Sequence, residues 1–125
     1  DKLFKAAICK YPVLDLKKMH LNTHRFEKDY LNSLIGSFDD FRYQYFDRSP
    51  INKIKQICQP VLIFHGKKDS VVDYRISFEF HEKLLRNNIY SQIHLYPEEG
   101  HGFKDLKNKI DYLNISEKFL KKNFT

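Results

Sequence analysis

Glycine is scarce in this chain. Gly36, Gly66, Gly100 and Gly102 are the only four in 125 residues. So few exclude a glycine-rich phosphate-cradling loop. Cysteine is scarcer still, with Cys9 and Cys58 alone. Two thiols cannot build a disulfide framework, so the expected compartment is the reducing cytoplasm. No apolar run approaches the roughly 18–20 residues needed to span a bilayer, which excludes a membrane-spanning role. The chain opens Asp-Lys-Leu-Phe-Lys, without the pattern of a secretory signal. It does not open with Met, so it reads as processed or as a cut from something longer. A long basic run is also missing. Twenty-two Lys+Arg against 16 Asp+Glu give a net charge of +6. The lysines come as scattered pairs (Lys17-Lys18, Lys67-Lys68, Lys121-Lys122) with acids between them. That pattern describes a solvated surface, so no nucleic-acid partner is expected.

What remains is ordinary globular material. Hydrophobic residues make up 42% and charged residues 30%, with eight Tyr and eleven Phe to fill a core. The length suits one domain or part of one.

The order of elements follows from the apolar spacing. Residues 5–14 hold a short apolar run that Pro12 ends, the length of a buried strand. Residues 15–22 read as a polar loop. Phe26, Tyr30, Leu31 and Leu34 share one helical face, and Gly36 stands where a helix C-cap wants it. Residues 37–48 are aromatic and charged without a clean period. Ser49-Pro50 reads as an N-cap and first helical residue, ahead of an Ile51, Ile54, Ile57 stripe on a short helix. Val61-Leu62-Ile63-Phe64 is a continuous apolar run, as in a parallel strand buried on both faces. Residues 74–86 return to helical spacing through Ile76, Phe80 and Leu84, and Asn87-Asn88 ends them. Ile93 and Leu95 alternate in a strand that stops near Pro97. Tyr112, Ile115, Phe119 and Leu120 mark a terminal helix. Strands alternating with helices predict an α/β layer with a parallel sheet of about three strands.

Ligands of open α/β sheets sit at the carboxyl ends of the strands. Two such ends are legible here. His65-Gly66-Lys67-Lys68-Asp69-Ser70-Val71-Val72 follows the first buried strand, and Glu98-Glu99-Gly100-His101-Gly102-Phe103 follows the second. If the strands are neighbours, about 4.8 Å apart, Asp69 and His101 project from adjacent loops on one rim. An Asp that accepts the imidazole N–H fixes its tautomer and stabilises the imidazolium formed in catalysis. Gly66 permits a tight exit from its strand, and Gly100 and Gly102 let the backbone carry His101 forward. Taken singly, Asp69 would more often be a turn residue or the cap of the next helix, and a His in such a loop is often merely exposed.

The segment Pro60–Val72 resembles the strand and acid loop of the prolyl oligopeptidase family of serine peptidases. Tyr96–Phe103 resembles that family's histidine loop. Thr23-His24-Arg25-Phe26-Glu27 and Arg48-Ser49-Pro50 resemble segments of its acylaminoacyl-peptidase-like and dipeptidyl-peptidase-like branch. The resemblance covers essentially the whole of residues 1–125. It implies part of an α/β-hydrolase fold, namely the C-terminal portion of a catalytic domain. Asp69 is then the triad acid and His101 the general base, with Gly66, Val72, Gly100 and Gly102 supporting their loops. It implies a peptide or acyl-peptide substrate and no cofactor or metal. Asp before His obeys the Ser, Asp, His order of the fold.

The nucleophile elbow Gly-x-Ser-x-Gly is absent from these residues. Ser33, Ser37, Ser49, Ser70, Ser77, Ser91 and Ser116 all lack its flanking glycines. The resemblance puts the elbow about one helix upstream of Asp1, so this chain alone is expected to be inactive. Ser70 is a poor substitute, because nothing beside Asp69 presents it to His101. His20, His24 and Glu27 could share a helical face, but without a His-Glu-x-x-His pattern they make a weak metal site. Cys9 and Cys58 are expected to be buried, inert thiols. The apolar strand near residues 6–11 is expected to present an open edge, and so to drive self-association or leave residues 1–12 partly disordered.

Overall fold

The computed structural model describes residues 3–22 and 25–124. Three parallel strands form the sheet: β1 (Ala7–Lys10), β2 (Val61–Gly66) and β3 (Ser91–Tyr96), in the order β1-β2-β3. Ala7 pairs with Val61 and Val61 with Ser91, so all three strands start level and end on the same rim. Helices α1 (Leu16–Asn22), α2 (Arg25–Ile35) and α3 (Arg42–Asp47) follow β1. Two 3-10 turns, Pro50–Asn52 and Ile54–Gln56, lead into β2. Helix α4 (Tyr74–Arg86) joins β2 to β3, and α5 (Leu106–Phe124) closes the chain.

The central strand explains the layering. Every residue of β2 is buried, and side chains alternate between its two faces. Val61 and Ile63 meet Ile76, Phe80 and Leu84 of α4, together with Leu14, Ile51 and Ile54. Leu62 and Phe64 point the other way, onto Phe119, Tyr112 and Ile115 of α5. A strand covered on both faces has no use for alternating polarity, which is why it reads as a continuous apolar run. Full burial of each such side chain contributes about 1.5–3 kcal/mol. A smaller cluster of Met19, Leu31, Tyr45 and Val72 ties α1, α2 and α3 to the loop after β2.

The parallel sheet, its flanking helices and their order match the expectation. Several details differ. Residues 16–22 are helical, because the Asp15 carboxylate accepts the Lys18 N–H at 2.9 Å and Met19 is buried. Residues 42–47 are also helical. With Tyr45 as its one buried side chain, so short a helix shows no period. The Ile51–Ile57 stripe belongs to two 3-10 turns rather than one helix. Ser49 stands at the N-cap position of the first turn without capping it. Its hydroxyl instead donates to Tyr45 O at 2.6 Å and accepts the Leu16 N–H at 2.9 Å. Helix α4 is capped by Asp73, not Asp69, through the Arg75 N–H at 2.9 Å. Cys9 is half-buried, and burial pushes its thiol up; Cys58, in the link between the second 3-10 turn and β2, is exposed, against expectation. Among the described residues, no helix is long and apolar enough to cross a membrane.

Candidate active site

The strand register places the two chemistry-bearing loops side by side. Gly66 at the end of β2 pairs with Tyr96 at the end of β3. The ladder continues beyond the strands, with Lys67 N–H on Tyr96 O and Lys68 N–H on Glu99 O, both at 2.9 Å. Gly66 is required by this approach. A Cβ there would lie 2.2 Å from the Glu99 carbonyl oxygen and 2.6 Å from that of Gly100.

Asp69 and His101 meet across this seam. Asp69 Oδ2 accepts from His101 Nδ1 at 2.9 Å. The Asp69 side chain is fully buried, while that of His101 is 39% exposed. Asp69 Oδ1 accepts the Val71 and Val72 N–H groups at 2.8 and 2.9 Å. Oδ2 also accepts from His65 Nε2 at 3.1 Å. Four donors therefore serve one carboxylate, matching its lone-pair capacity. A buried charge is tolerable only when bonded in this way. With Nδ1–H committed to Asp69, the Nε2 of His101 is the nitrogen left to take up a proton.

The supporting loop residues fall around this pair. Val72 gives its N–H to Asp69 and its carbonyl to His65, while its side chain enters the small core. Gly102 has φ +124°, a conformation that disfavours any side chain, and its N–H closes on Gly100 O at 3.0 Å, leaving His101 at the tip of a narrow turn. Gly100 has no comparable demand; an added Cβ would make ordinary contact with Lys68 O at 3.5 Å. Ser70 borders the same 520 Å³ hollow as His101, but among the described residues no hydrogen bond joins the two. A second hollow of 610 Å³ lies on the other side of the acid loop, lined by Lys18, Met19, Asp69, Val71, Val72 and Tyr74.

Four residues join the site that the sequence reading did not single out. His65 is fully buried beneath Asp69, and burial drives its pKa down. Ser77 of α4 stands 2.7 Å from its Nδ1. Tyr11, at φ +39°, lays its ring 4.7 Å from that of His101. Glu99 is buried and accepts from Lys104 N and Asp105 N, at 2.8 and 3.0 Å, and from Asn108 Nδ2 at 2.9 Å. Those bonds, the Asn108 amide foremost, hold its carboxyl below the usual range and brace the loop behind His101. A histidine at the end of an apolar strand was the one available signal for this shell. At the C-terminal end of β3, burial and then the Asp111 carboxylate, 2.8 Å away, push the Tyr96 phenol far up. His20, offered as a metal ligand, stacks on Phe38 at 5.0 Å; His24 lies outside the described residues.

A parallel sheet covered on both faces, with an Asp–His pair on the rim above adjacent strands, defines an α/β-hydrolase layer. The chain belongs to the prolyl oligopeptidase family, whose profile matches residues 1–125. It is 25% identical over 115 residues to the acylamino-acid-releasing enzyme of Rattus norvegicus, covering 86% of this chain and 16% of that protein. A puromycin-hydrolyzing peptidase of Mycobacterium tuberculosis superposes with a TM-score of 0.87 at 31% identity, over 90% of this chain and 17% of that one. The acylaminoacyl peptidase of Pyrococcus horikoshii shares the fold at a TM-score of 0.89 and 17% identity, over 98% of this chain and 21% of that one. The chain thus spans about a sixth to a fifth of the length of these proteins. It resembles part of a serine-peptidase catalytic domain.

Proposed function

We propose that this chain supplies the acid and the base of a Ser-Asp-His triad in a serine peptidase or related acyl hydrolase. The observation that carries the reading is the Asp69–His101 bond, 2.9 Å long and buried on the Asp side only. A serine on a segment outside residues 1–125 attacks the acyl carbon, forming an O–C bond while its proton passes to His101 Nε2. His101 then gives that proton to the leaving amine, and the C–N bond breaks. Water repeats the sequence on the acyl-enzyme. Asp69 holds the ring and stabilises the imidazolium throughout. The substrate is a peptide or an acyl-peptide, no cofactor takes part, and the chain by itself is inactive. Neither nucleic acid nor a membrane enters the reaction. Two free thiols suit a cytoplasmic setting. A second copy of the chain is the other partner, through the outer edge of β1.

A second reading is a non-catalytic remnant or binding module on the same fold. It is favoured by one observation, the lack of Gly-x-Ser-x-Gly in these residues. Two measurements separate the readings. The gene is read in frame upstream of the Asp1 codon, and the protein is treated with a serine-directed phosphonate. A Gly-x-Ser-x-Gly about one helix upstream, with labelling only when that segment is present, supports the triad. Stoichiometric labelling of residues 1–125 alone overturns the claim that the nucleophile stands elsewhere. A frame without the motif leaves the remnant reading.

A further inference from the structure

His65 sits at the end of the central strand, beneath the Asp69–His101 pair. Its Nε2 has two neighbours, Asp69 Oδ2 at 3.1 Å and the Val72 carbonyl at 2.9 Å. Both are acceptors, so Nε2 must carry the proton and share it between them. Its Nδ1 faces the Ser77 hydroxyl at 2.7 Å. A neutral ring protonated at Nε2 accepts there, and Ser77 donates. The side chains of His65 and Asp69 are fully buried, as is Ser77. This ring therefore links α4, the acid loop and the triad carboxylate through bonds whose directions are all fixed.

The consequence falls on His101. Asp69 Oδ2 accepts from two imidazoles at once, one buried and one facing the reaction. An acceptor shared between two donors binds each less strongly than one donor alone. The second donor also fixes Oδ2 in the direction His101 needs.

We propose that His65 is a positioning residue for the triad, a neutral Nε2–H donor locked by Ser77 that orients Asp69 and moderates its hold on His101 Nδ1–H. This rests on the reading of Asp69 and His101 as acid and base. The groups that face His65 are Asp69 and Val72 from the acid loop, Ser77 from α4 and His101 across the carboxylate.

The test is ring-nitrogen NMR on the chain, comparing wild type, His65→Gln, His65→Leu, Ser77→Ala and Asp69→Asn. In wild type, His65 is expected to show the Nε2–H tautomer and to take up its second proton only below the ordinary histidine range. In His65→Leu the His101 Nδ1–H resonance moves downfield, because Asp69 then serves one imidazole. His65→Gln, whose amide can donate to Asp69, returns it toward wild type. Where His65→Leu fails to fold, Ser77→Ala takes its place: the two acceptors keep the proton on Nε2, and the His65 Nδ1 resonance, deprived of the Ser77 hydroxyl, is expected to move. An Nδ1–H tautomer in wild type overturns the proposal, as does an unmoved His101 resonance in His65→Leu, or an unmoved His65 Nδ1 resonance in Ser77→Ala. Asp69→Asn separates the two claims. If it leaves the His101 resonance untouched, the acid–base reading itself fails; if it alone moves that resonance, only the role of His65 fails.

Discussion

Asp69 and His101 lie 32 positions apart in the chain, yet their side chains meet at 2.9 Å because the strands before them are neighbours in one parallel sheet. The β3 strand begins level with β2, so the two loops rise from the same rim. The geometry of the pair is thus set by strand register before any loop detail matters. What the loops add is the burial of one partner and the exposure of the other.

Asp69→Ala is expected to be among the most damaging single changes to stability. It leaves His65 Nε2–H with the Val72 carbonyl alone and strips the Val71 and Val72 N–H groups of their acceptor. Unpartnering buried groups around a removed charge costs about 3–5 kcal/mol. That is a large share of the roughly 5–15 kcal/mol that holds a domain folded. Urea denaturation checks it, with Ser70→Ala as a control expected to stay within about 0.5 kcal/mol. Equal midpoints for the two variants would show that the carboxylate is not buried as described.

Gly66→Ala and Gly100→Ala should separate sharply although both glycines flank the same seam. At Gly66 the new methyl meets backbone atoms at 2.2–2.6 Å, which cannot swing aside. Overpacking of that kind costs about 1–3 kcal/mol and pushes the acid and histidine loops apart. At Gly100 the nearest atom is 3.5 Å away. Thermal melting of both variants tests this. A Gly66→Ala protein as stable as wild type would place the loops further apart than the structure does.

Acid should weaken the fold in two stages. Burial lowers the pKa of His65, and likewise of His81 and His94, from an ordinary value near 6.5. A group whose folded value is depressed binds its proton more readily when unfolded. Stability is therefore full above about pH 6.5 and falls as pH drops below it. Glu99, held low by Asn108 and by the Lys104 and Asp105 N–H groups, adds a second loss below its ordinary value near 4.5. Melting temperatures measured from pH 8 to pH 4 should decline in that order. In His65→Gln, which cannot titrate, the first decline should shrink. A flat profile between pH 7 and 5 would contradict the buried neutral histidines.

The sequence made the sheet legible because β2 is covered on both faces, so Val61–Phe64 carries no alternation to confuse with a surface strand. It made the Asp69–His101 pair legible because the sites of open α/β sheets lie just past the carboxyl ends of the strands. It hid α1 and α3, each of which buries a single side chain, Met19 or Tyr45. A period needs at least two turns of one face to show. It also hid the layer beneath the pair. His65 and Ser77 are twelve residues apart on different elements, and only the packing of α4 on β2 brings them within 2.7 Å. Tyr11 joins His101 through a left-handed backbone turn that no spacing rule announces.

The outer edge of β1 gives the last prediction. Ala7 and Tyr11 donate their N–H groups to Pro60 and Phe64 of the β2 segment. In a parallel ladder the bonding residues alternate, so Ile8 and Lys10 turn their backbone groups outward. Ile8 is 37% exposed, and among the described residues no strand pairs with that side. An unpaired strand edge is a template for another chain. Residues 1–125 should therefore self-associate, with a mass that rises with concentration in sedimentation equilibrium. Ile8→Pro removes an outward N–H and leaves the β1–β2 ladder intact. It should return the chain to monomer without loss of helix signal. A wild-type chain that stays monomeric at every concentration would show that this edge is protected.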